Sequence, residues 1–509
     1  MASVVYVKGS NGTIYAYSNN SYWDKKAKET KHDRKCIGHL DESTGEIVPN
    51  RKKSVKPPKQ QCSIKDIGVS LLLNHVANET GLTGVLHEIF TDDWKQILTC
   101  AYYLLSEGRA LSRIEQWSEA NDTPYGDVIT SQRASELLAR LTGGKQMDFF
   151  IKWVAYNRNG EYYAMDITSV SSYSDLIDFV RYGHNRDNEK LPQVNLLMVN
   201  GETSHMPLYF RAMPGSIKDV STLVETLDTL DIIDVARLHL VMDKGFYSDA
   251  NIDAMYENHI RFLVGVPFTA GYARDAVQIA RTKGIYSQEN YRMVLDEEIY
   301  IRSDHFNWKG HRCYVHVYYD SFKAEMENRK FDRILYECFH ELELGKETEM
   351  HKPYYTKFFH IKITPRRGRH VVYDQAAIDE HRRNTTGWFV MITNDVKDPV
   401  KALEIYRMKD SIEKAFDDLK NDLDCKRLRI HSTAAMEGRL FIQFIALILA
   451  AKIKLTMNAN GWFKNYDMQQ VIDGMKSLRE VNMVTSRKRI ISTPTALQVK
   501  IIQLFGIAV

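Results

Sequence analysis

A mixed α/β fold, a sheet covered by helices, is predicted by three features of the 509-residue chain. Three segments rich in apolar and β-branched residues, EYYAMDITSVSS, LPQVNLLMVNGE and MPLYFRAMPGS, follow one another with turn residues between them and read as consecutive strands. A predicted helix, DVSTLVETLDTL, with Asp219 or Ser221 placed to cap it, then leads to the apolar run RLHLVMDKGFYS, which reads as a buried strand. A further helix, SDANIDAMYENH, and a further strand, IRFLVGVP, complete the series. Strands in succession, then helix, strand, helix and strand, describe a mixed sheet with flanking helices.

The elements before this core have a different character. SVVYVKGSNGTIYAYS reads as two alternating strands joined at an Asn-Gly turn, and KCIGHLDESTGEIVPN as a second hairpin. They define a basic N-terminal β-hairpin region, residues 1–60, closed by the linker VKPPKQQ. Residues 61–148 change to a helical period: DIGVSLLLNHVANETG, WKQILTCAYYLLSEG and SQRASELLARLT carry apolar faces that end at Gly or Asn. Short helices beside a basic segment suit a DNA-binding region, and they suit any small helical domain equally well. From about Phe149 the pattern is strand-rich, and the first part of the core occupies residues 149–270. Residues 271–385 interrupt it with polar and aromatic strands (YRMVLDEEIYIR, HRCYVHVYYDSF) and a charged helix (AEMENRKFDRILYEC). The core resumes over residues 386–455 with the strand GWFVMITND and a later amphipathic helix; residues 456–509, which contain SRKRI, form a C-terminal tail.

Composition narrows the class. A hydrophobic fraction of 44% and a charged fraction of 26% are those of a globular protein. The net charge of +3 conceals an asymmetry, since residues 1–60 hold twelve Lys or Arg against six Asp or Glu. Such basic runs are usually solvated tails or loops, and they are also what a phosphate backbone attracts. The six cysteines are scattered, without a CxxC pair, which argues against a disulfide framework and a structural zinc site. MASVVYVKGSNG lacks a signal-peptide core, and LFIQFIALILAAKIKL is interrupted by Gln443 and Lys452 and reads as a helix buried on all sides. A cytoplasmic location with no membrane partner is therefore expected.

The chemistry is carried by acidic residues. Asp166 in YYAMDITS and Asp243 in LHLVMDKGFYS stand at positions that otherwise read as buried strand, where an unpaired carboxylate is costly. A strand-end turn or helix cap explains one such residue. Two of them, with a glutamate on a later helix, point to shared coordination of Mg²⁺, which prefers hard oxygen ligands. That glutamate is Glu413, in YRMKDSIEKAFDDLK. Ile405, Met408, Ile412, Phe416, Leu419 and Leu423 recur at helical spacing, so one continuous helix is predicted. Tyr406, Lys409, Glu413 and Lys420 form a polar stripe centred roughly 85° from the apolar one, at the shoulder of the buried face. Glu413 flanked by lysines also reads as part of an ordinary surface pair.

The order of elements and the Asp–Asp–Glu set resemble the DDE transposases of bacterial insertion sequences, in the branch with a β-strand insertion between the second Asp and the Glu. That branch carries a helix motif of Tyr, two residues, Arg, three residues, Glu, six residues, Lys. Here the motif reads Tyr406, Lys409 in place of Arg, Glu413 and Lys420. DITSVSSYS, YGHNRDNEKLPQVNL, PLYFRAMPGSIKDVSTL, DKGFYS and GLTGVLHEIF are similar to segments of the same transposases. The resemblance implies a ribonuclease-H-like catalytic core in which Asp166, Asp243 and Glu413 bind two divalent ions, Mg²⁺ with Mn²⁺ as an alternative. It implies cleavage at the element ends and joining of the 3′-hydroxyls to target DNA. Double-stranded DNA, as element ends and target, would be the partner of a homodimer. Tyr406 and Lys420 would contact DNA phosphate; Lys409 keeps the charge of the family's Arg and lacks its planar fork. A different nuclease of the same fold and a domesticated or inactive DNA-binding relative are the alternatives.

Further DNA-contact candidates stand outside the motif. His184, Asn185 and Arg186 lie in a polar loop that faces DNA or merely hydrogen-bonds itself, and Arg366 and Arg367 of PRRGRH are a phosphate contact or an exposed basic turn. Trp308 stacks on an extruded base or covers the local sheet. Lys244 and Tyr247 follow the second Asp as supporting residues.

Overall fold

The computed structural model describes residues 3–508 apart from 11, 26–27, 42–43, 50–61, 173, 175, 184–190, 217–238, 365–367, 424, 426, 429, 431 and 484–488. The predicted helix DVSTLVETLDTL, the linker VKPPKQQ, His184, Asn185, Arg186, Arg366 and Arg367 lie outside the described residues. The chain divides into two compact units, residues 1–63 with 483–488, and residues 64–482 with 489–509.

The first unit is a four-stranded sheet in chain order: β1 (Ser3–Lys8), β2 (Ile14–Asp24), β3 (Glu29–Leu40) and β4 (Ile47–Pro49). Both predicted hairpins are present. The basic run DKKAKETKHDRK, of a kind usually found in solvated tails or loops, contributes its described residues to the β2–β3 hairpin, because β2 and β3 stay paired from Tyr15↔His39 to Asp24↔Glu29.

The strand β5 (Cys62–Asp66) runs across the division, and the second unit continues with the helices α1 (Gly68–Glu79), α2 (Leu82–Ile89), α3 (Trp94–Glu107), α4 (Ile114–Ala120), α5 (Ser131–Arg140) and α6 (Gly144–Asn157). The change to strand at Phe149 comes later than the sequence suggests. Phe149, Phe150, Trp153 and Val154 are buried on one face of α6, and the first core strand starts only at Tyr162. These aromatic residues satisfy a helix packed on the sheet as readily as a strand within it.

The main sheet contains β6 (Tyr162–Ser172), β7 (Gln193–Gly201), β8 (Pro207–Pro214), β9 (His239–Met242), β10 (Arg261–Val266), β11 (Tyr291–Val294), β12 (Glu297–Trp308), β13 (His311–Tyr319), β16 (Trp388–Thr393) and β17 (Arg427–Leu428); β14 (Phe359–Thr364) and β15 (Gly368–Tyr373) pair separately. Its order is β11-β12-β13-β16-β10-β9-β6-β7-β8, with β17 beside β6. The strands β6, β9 and β10 are parallel neighbours, and β7 and β8 continue antiparallel from β6. The strands of the 271–385 segment join this sheet directly, β13 pairing with β16 from Tyr314↔Thr393 to Tyr319↔Trp388. This is a mixed α/β architecture with a large mixed sheet and flanking helices.

Covering elements are α7 (Asp249–Glu257), α8 (Gly271–Thr282), α9 (Ser321–Leu344), α10 (Lys352–Phe358), α11 (Gln375–Thr385), α12 (Pro399–Met408), α13 (Asp410–Asp417), α14 (Thr433–Ala459), α15 (Met468–Met475) and α16 (Ala496–Phe505). The apolar α14 is the central pillar, with Leu440 to Ala451 buried throughout. Its two polar interruptions are satisfied: Gln443 Nε2 donates to the Leu423 carbonyl at 2.7 Å, and Lys452 meets Glu79 of α1 at 2.7 Å. Among the described residues, α14 is the one helix long and apolar enough to cross a membrane, and most of that stretch is buried inside the protein.

Candidate active site

Strand register brings the two aspartates together. Parallel pairing of β6 and β9 runs from Tyr162↔His239 to Met165↔Met242, so Asp166 and Asp243 follow at the next matching position of the two neighbouring strands. In a parallel ladder, residues in register point to the same face. Asp166 is buried, and its Oδ1 accepts from the Ile167 amide at 2.8 Å. Asp243 lies between the end of β9 and the short helical turn Lys244–Phe246, and 40% of its side chain is exposed.

The predicted continuous helix is broken in two at Lys409, which ends α12 and starts α13. The Lys409 amide bonds to the Tyr406 carbonyl, and the Ile412 amide to the Lys409 carbonyl. These three-residue spans overwind the chain and advance its phase. Met408, expected in the apolar stripe, is 39% exposed, while Lys409 is buried. Ile412, Ala415, Phe416, Leu419 and Leu423 do face the core, and α13 packs on β6 and β7. A π-helical turn, Asp418–Asp422, ends the segment through the Leu423 amide bonding to the Asp418 carbonyl.

The break sets the site's polar contacts. Tyr406 hydroxyl donates to Asp243 Oδ1 at 2.8 Å. Lys409 Nζ lies 3.9 Å from Asp243 Oδ1 and 3.8 Å from Glu413 Oε1. Burial pushes the Asp243 carboxyl up, but the Lys409 charge, the Tyr406 hydroxyl and the Lys244 amide together hold it below the usual carboxylate value. Burial and the neighbouring Asp243 carboxylate push the Tyr406 phenol upward, so it remains a donor. Glu413 is exposed at the rim. Gly265 of β10 makes room for this arrangement: a Cβ there would stand 3.1 Å from the Tyr406 hydroxyl and 3.2 Å from the Lys244 nitrogen.

Asp243, Lys244, Tyr406, Lys409 and Glu413 line an open cleft of about 860 Å³. Its far wall comes from residues the sequence did not single out: Lys323, Glu327 and Lys330 on α9, His381 on α11, and Phe389 on β16. The wall is fixed to the sheet, because the Gly387 amide donates to Glu327 Oε2 at 2.7 Å and the Asp320 amide to the Gly387 carbonyl. Lys323 and Lys330 share a helix face at seven-residue spacing, a weak signal in so charged a helix. Arg407, also in the cleft, pairs with Glu297 at 2.6 Å.

The remaining predicted residues are dispersed. Lys420 sits half-buried in the π turn and is not among the cleft-lining residues. Trp308 is buried, its indole donating to Asp253 at 2.9 Å, which is the sheet-covering role. Tyr247 donates to Asp249 at 2.6 Å. Cys338, Glu341 and His351 offer potential ligand atoms within 4.8 Å of one another, but His351 and Tyr355 already bond Glu341 Oε2.

The acidic set has the donor chemistry of a divalent-cation site: hard carboxylate oxygens at register-matched strand positions, and an ammonium group that already spans Asp243 and Glu413. Among the described residues its three carboxylates do not converge to within 4.8 Å of one another as the ligand atoms of Cys338, Glu341 and His351 do.

Comparison with known proteins bears on the chain directly. One solved structure, the cryo-EM structure of the piggyBac transposase synaptic complex with hairpin DNA, is similar at 8% sequence identity and a TM-score of 0.37, over 86% of this chain and 76% of that one. No curated protein matches. A family model described as the transposase DDE domain matches residues 160–449. That span is more than half of the chain and includes Asp166, Asp243 and Glu413, and the chain therefore belongs to the DDE transposase domain family.

Proposed function

We propose that this transposase binds the terminal inverted repeats of an insertion sequence, hydrolyses phosphodiester bonds at the element ends and transfers the 3′-hydroxyl ends to target DNA. Asp166, Asp243 and Glu413 are the proposed metal-binding catalytic set. The observation that carries the reading is the matching strand position after Met165↔Met242, which supports two strand carboxylates acting on one cation site. A ribonuclease-H-like core is supported by the order β8-β7-β6-β9-β10, antiparallel on one side of β6 and parallel on the other.

Two Mg²⁺ or Mn²⁺ ions, when bound, would activate the attacking oxygen and stabilise the leaving one. The chain's own residues prepare that chemistry. Tyr406 and Lys409 keep Asp243 ionised and oriented, and the buried Lys409 holds Glu413 toward it. Lys323 and Lys330 face them across the cleft, where they would neutralise backbone phosphates entering it. DNA is the partner, a homodimer the acting form on paired ends, and the cytoplasm the compartment. His184, Arg186, Arg366, Arg367 and Lys420 are proposed as further DNA contacts.

The test is to incubate the chain with Mg²⁺ and DNA carrying its element ends, beside Asp166→Asn. Specific cleavage and joining that vanish in the variant support the reading. Activity retained in Asp166→Asn overturns the site. Cutting without end specificity assigns a general nuclease, and end binding without cutting a DNA-binding relative.

A further inference from the structure

We propose that the β2–β3 hairpin of the N-terminal unit is a nucleic-acid ribbon that enters a groove of duplex DNA. Pairing of β1 with β2 spans Ser3↔Asn19 to Lys8↔Ile14, and β4 covers only Gly38–Leu40 of β3. Beyond these limits, Asn20–Asp24 and Glu29–Asp33 continue as two strands, with neither outer edge paired among the described residues. The ribbon extends about 17 Å at the usual strand rise. Two strands and their side chains match the width of the DNA major groove, about 12 Å.

Its surface is unusual for a free edge. Tyr22 and Trp23, adjacent near the tip, are 55% and 60% exposed. Residues 20–35 carry six Lys or Arg against three Asp or Glu. Lysines alone would guard an edge against aggregation. They give no reason to hold two large aromatic rings in water, which apolar contact with bases and sugars would repay.

Register distributes these groups over both faces. Tyr22 stands opposite Lys31 and Ser18 opposite Lys35 on one face; Trp23 stands opposite Thr30, Ser21 opposite His32 and Asn19 opposite Arg34 on the other. Asp24, Glu29 and Asp33 offset the charge along the ribbon itself, Asp24 pairing with Lys31 at 2.7 Å. The positive charge brackets the aromatic pair, in Lys25 and Lys28 at the tip and Arg34 and Lys35 at the base, where it would meet the phosphates that border a groove.

The test measures binding of the full-length chain to a fluorescein-labelled random-sequence duplex by anisotropy, in EDTA, across a NaCl series. In EDTA the readout is independent of whether the cleft at Asp243 and Glu413 cuts DNA. Lys31→Ala/Arg34→Ala/Lys35→Ala should flatten the slope of log K against log [NaCl] by about 2–3. Tyr22→Ala/Trp23→Ala should weaken binding roughly tenfold with the slope kept. Should the triple variant fail to fold by circular dichroism, Arg34→Ala and Lys35→Ala singly should each change the slope by about 0.9. An unchanged slope, or binding unaffected by loss of both aromatic residues, overturns the proposal. So does equal flattening in the control Arg292→Ala/Lys346→Ala/Lys352→Ala, which removes exposed cations from the other unit.

Discussion

Lys409 Nζ stands 3.9 Å from Asp243 Oδ1 although only 9% of the Lys409 side chain reaches solvent. A buried ammonium is costly unless paired, so the contact ties the bend between α12 and α13 to the charge state of the site. Asp243 is held below its ordinary value of 3.8 partly by this charge. Removing the charge in Lys409→Met should move the acid limb of the DNA-cleavage pH profile upward. The sign follows from the direction of the shift: a depressed carboxyl stays ionised as pH falls, and without Lys409 it protonates sooner. Lys409→Arg should restore the limb. A profile unmoved in Lys409→Met would show that the contact does not govern Asp243.

Tyr406 offers a choice between two roles. The family resemblance implies a phosphate contact, whereas its hydroxyl here donates to Asp243. Hydrogen bonds to charged groups contribute about 1.5–3 kcal/mol. Tyr406→Phe should therefore slow single-turnover cleavage at least ~10-fold while leaving DNA affinity within about twofold. A variant that loses affinity and keeps its cleavage rate on bound DNA would assign Tyr406 to phosphate.

How far the site was legible follows from where its information lies. Asp166 and Asp243 stood out because each is a charge within an apolar strand pattern. Their matching strand position did not, since β6 and β9 pair only after β7 and β8 have folded back between them in sequence. The apolar positions of α13 were readable from spacing alone, but the phase change that buries Lys409 and exposes Met408 was not. No local pattern marks that turn, because Lys409 is drawn inward by carboxylates from distant segments. Lys323 and Lys330 were equally silent, for their meaning comes from α9 being fastened across the cleft. The strands within the basic N-terminal run gave no signal because charge obscured the alternation of an exposed ribbon.

Gly265 tests the packing behind the site. A Cβ would press on the Tyr406 hydroxyl and the Lys244 backbone, and the backbone cannot rotate away as a side chain can. Gly265→Ala should displace the Tyr406–Asp243 bond and lower cleavage about 10-fold or more, with a stability loss of about 1–2 kcal/mol. Single-turnover rates and urea unfolding measure the two effects. Wild-type rates in a stable Gly265→Ala protein would remove the steric argument.

Glu202 gives the fold a pH dependence of its own. It follows β7, is 2% exposed, and neither carboxyl oxygen finds a hydrogen-bond partner among the described residues. Burial first, and the nearby Glu161 second, push its carboxyl up to about 9 from an ordinary 4.5. The folded chain therefore keeps this proton over a range where the unfolded chain has released it. Stability is fully present below about 4.5 and is lost progressively as pH rises through about 9. Glu202→Gln removes the titration while keeping the shape. Urea unfolding at pH 5 and pH 8 should show the parent losing on the order of a few kcal/mol relative to the variant at the higher pH. Parallel pH dependences in the two proteins would mean that Glu202 is ionised in the fold, held by a cation or solvent that reaches it.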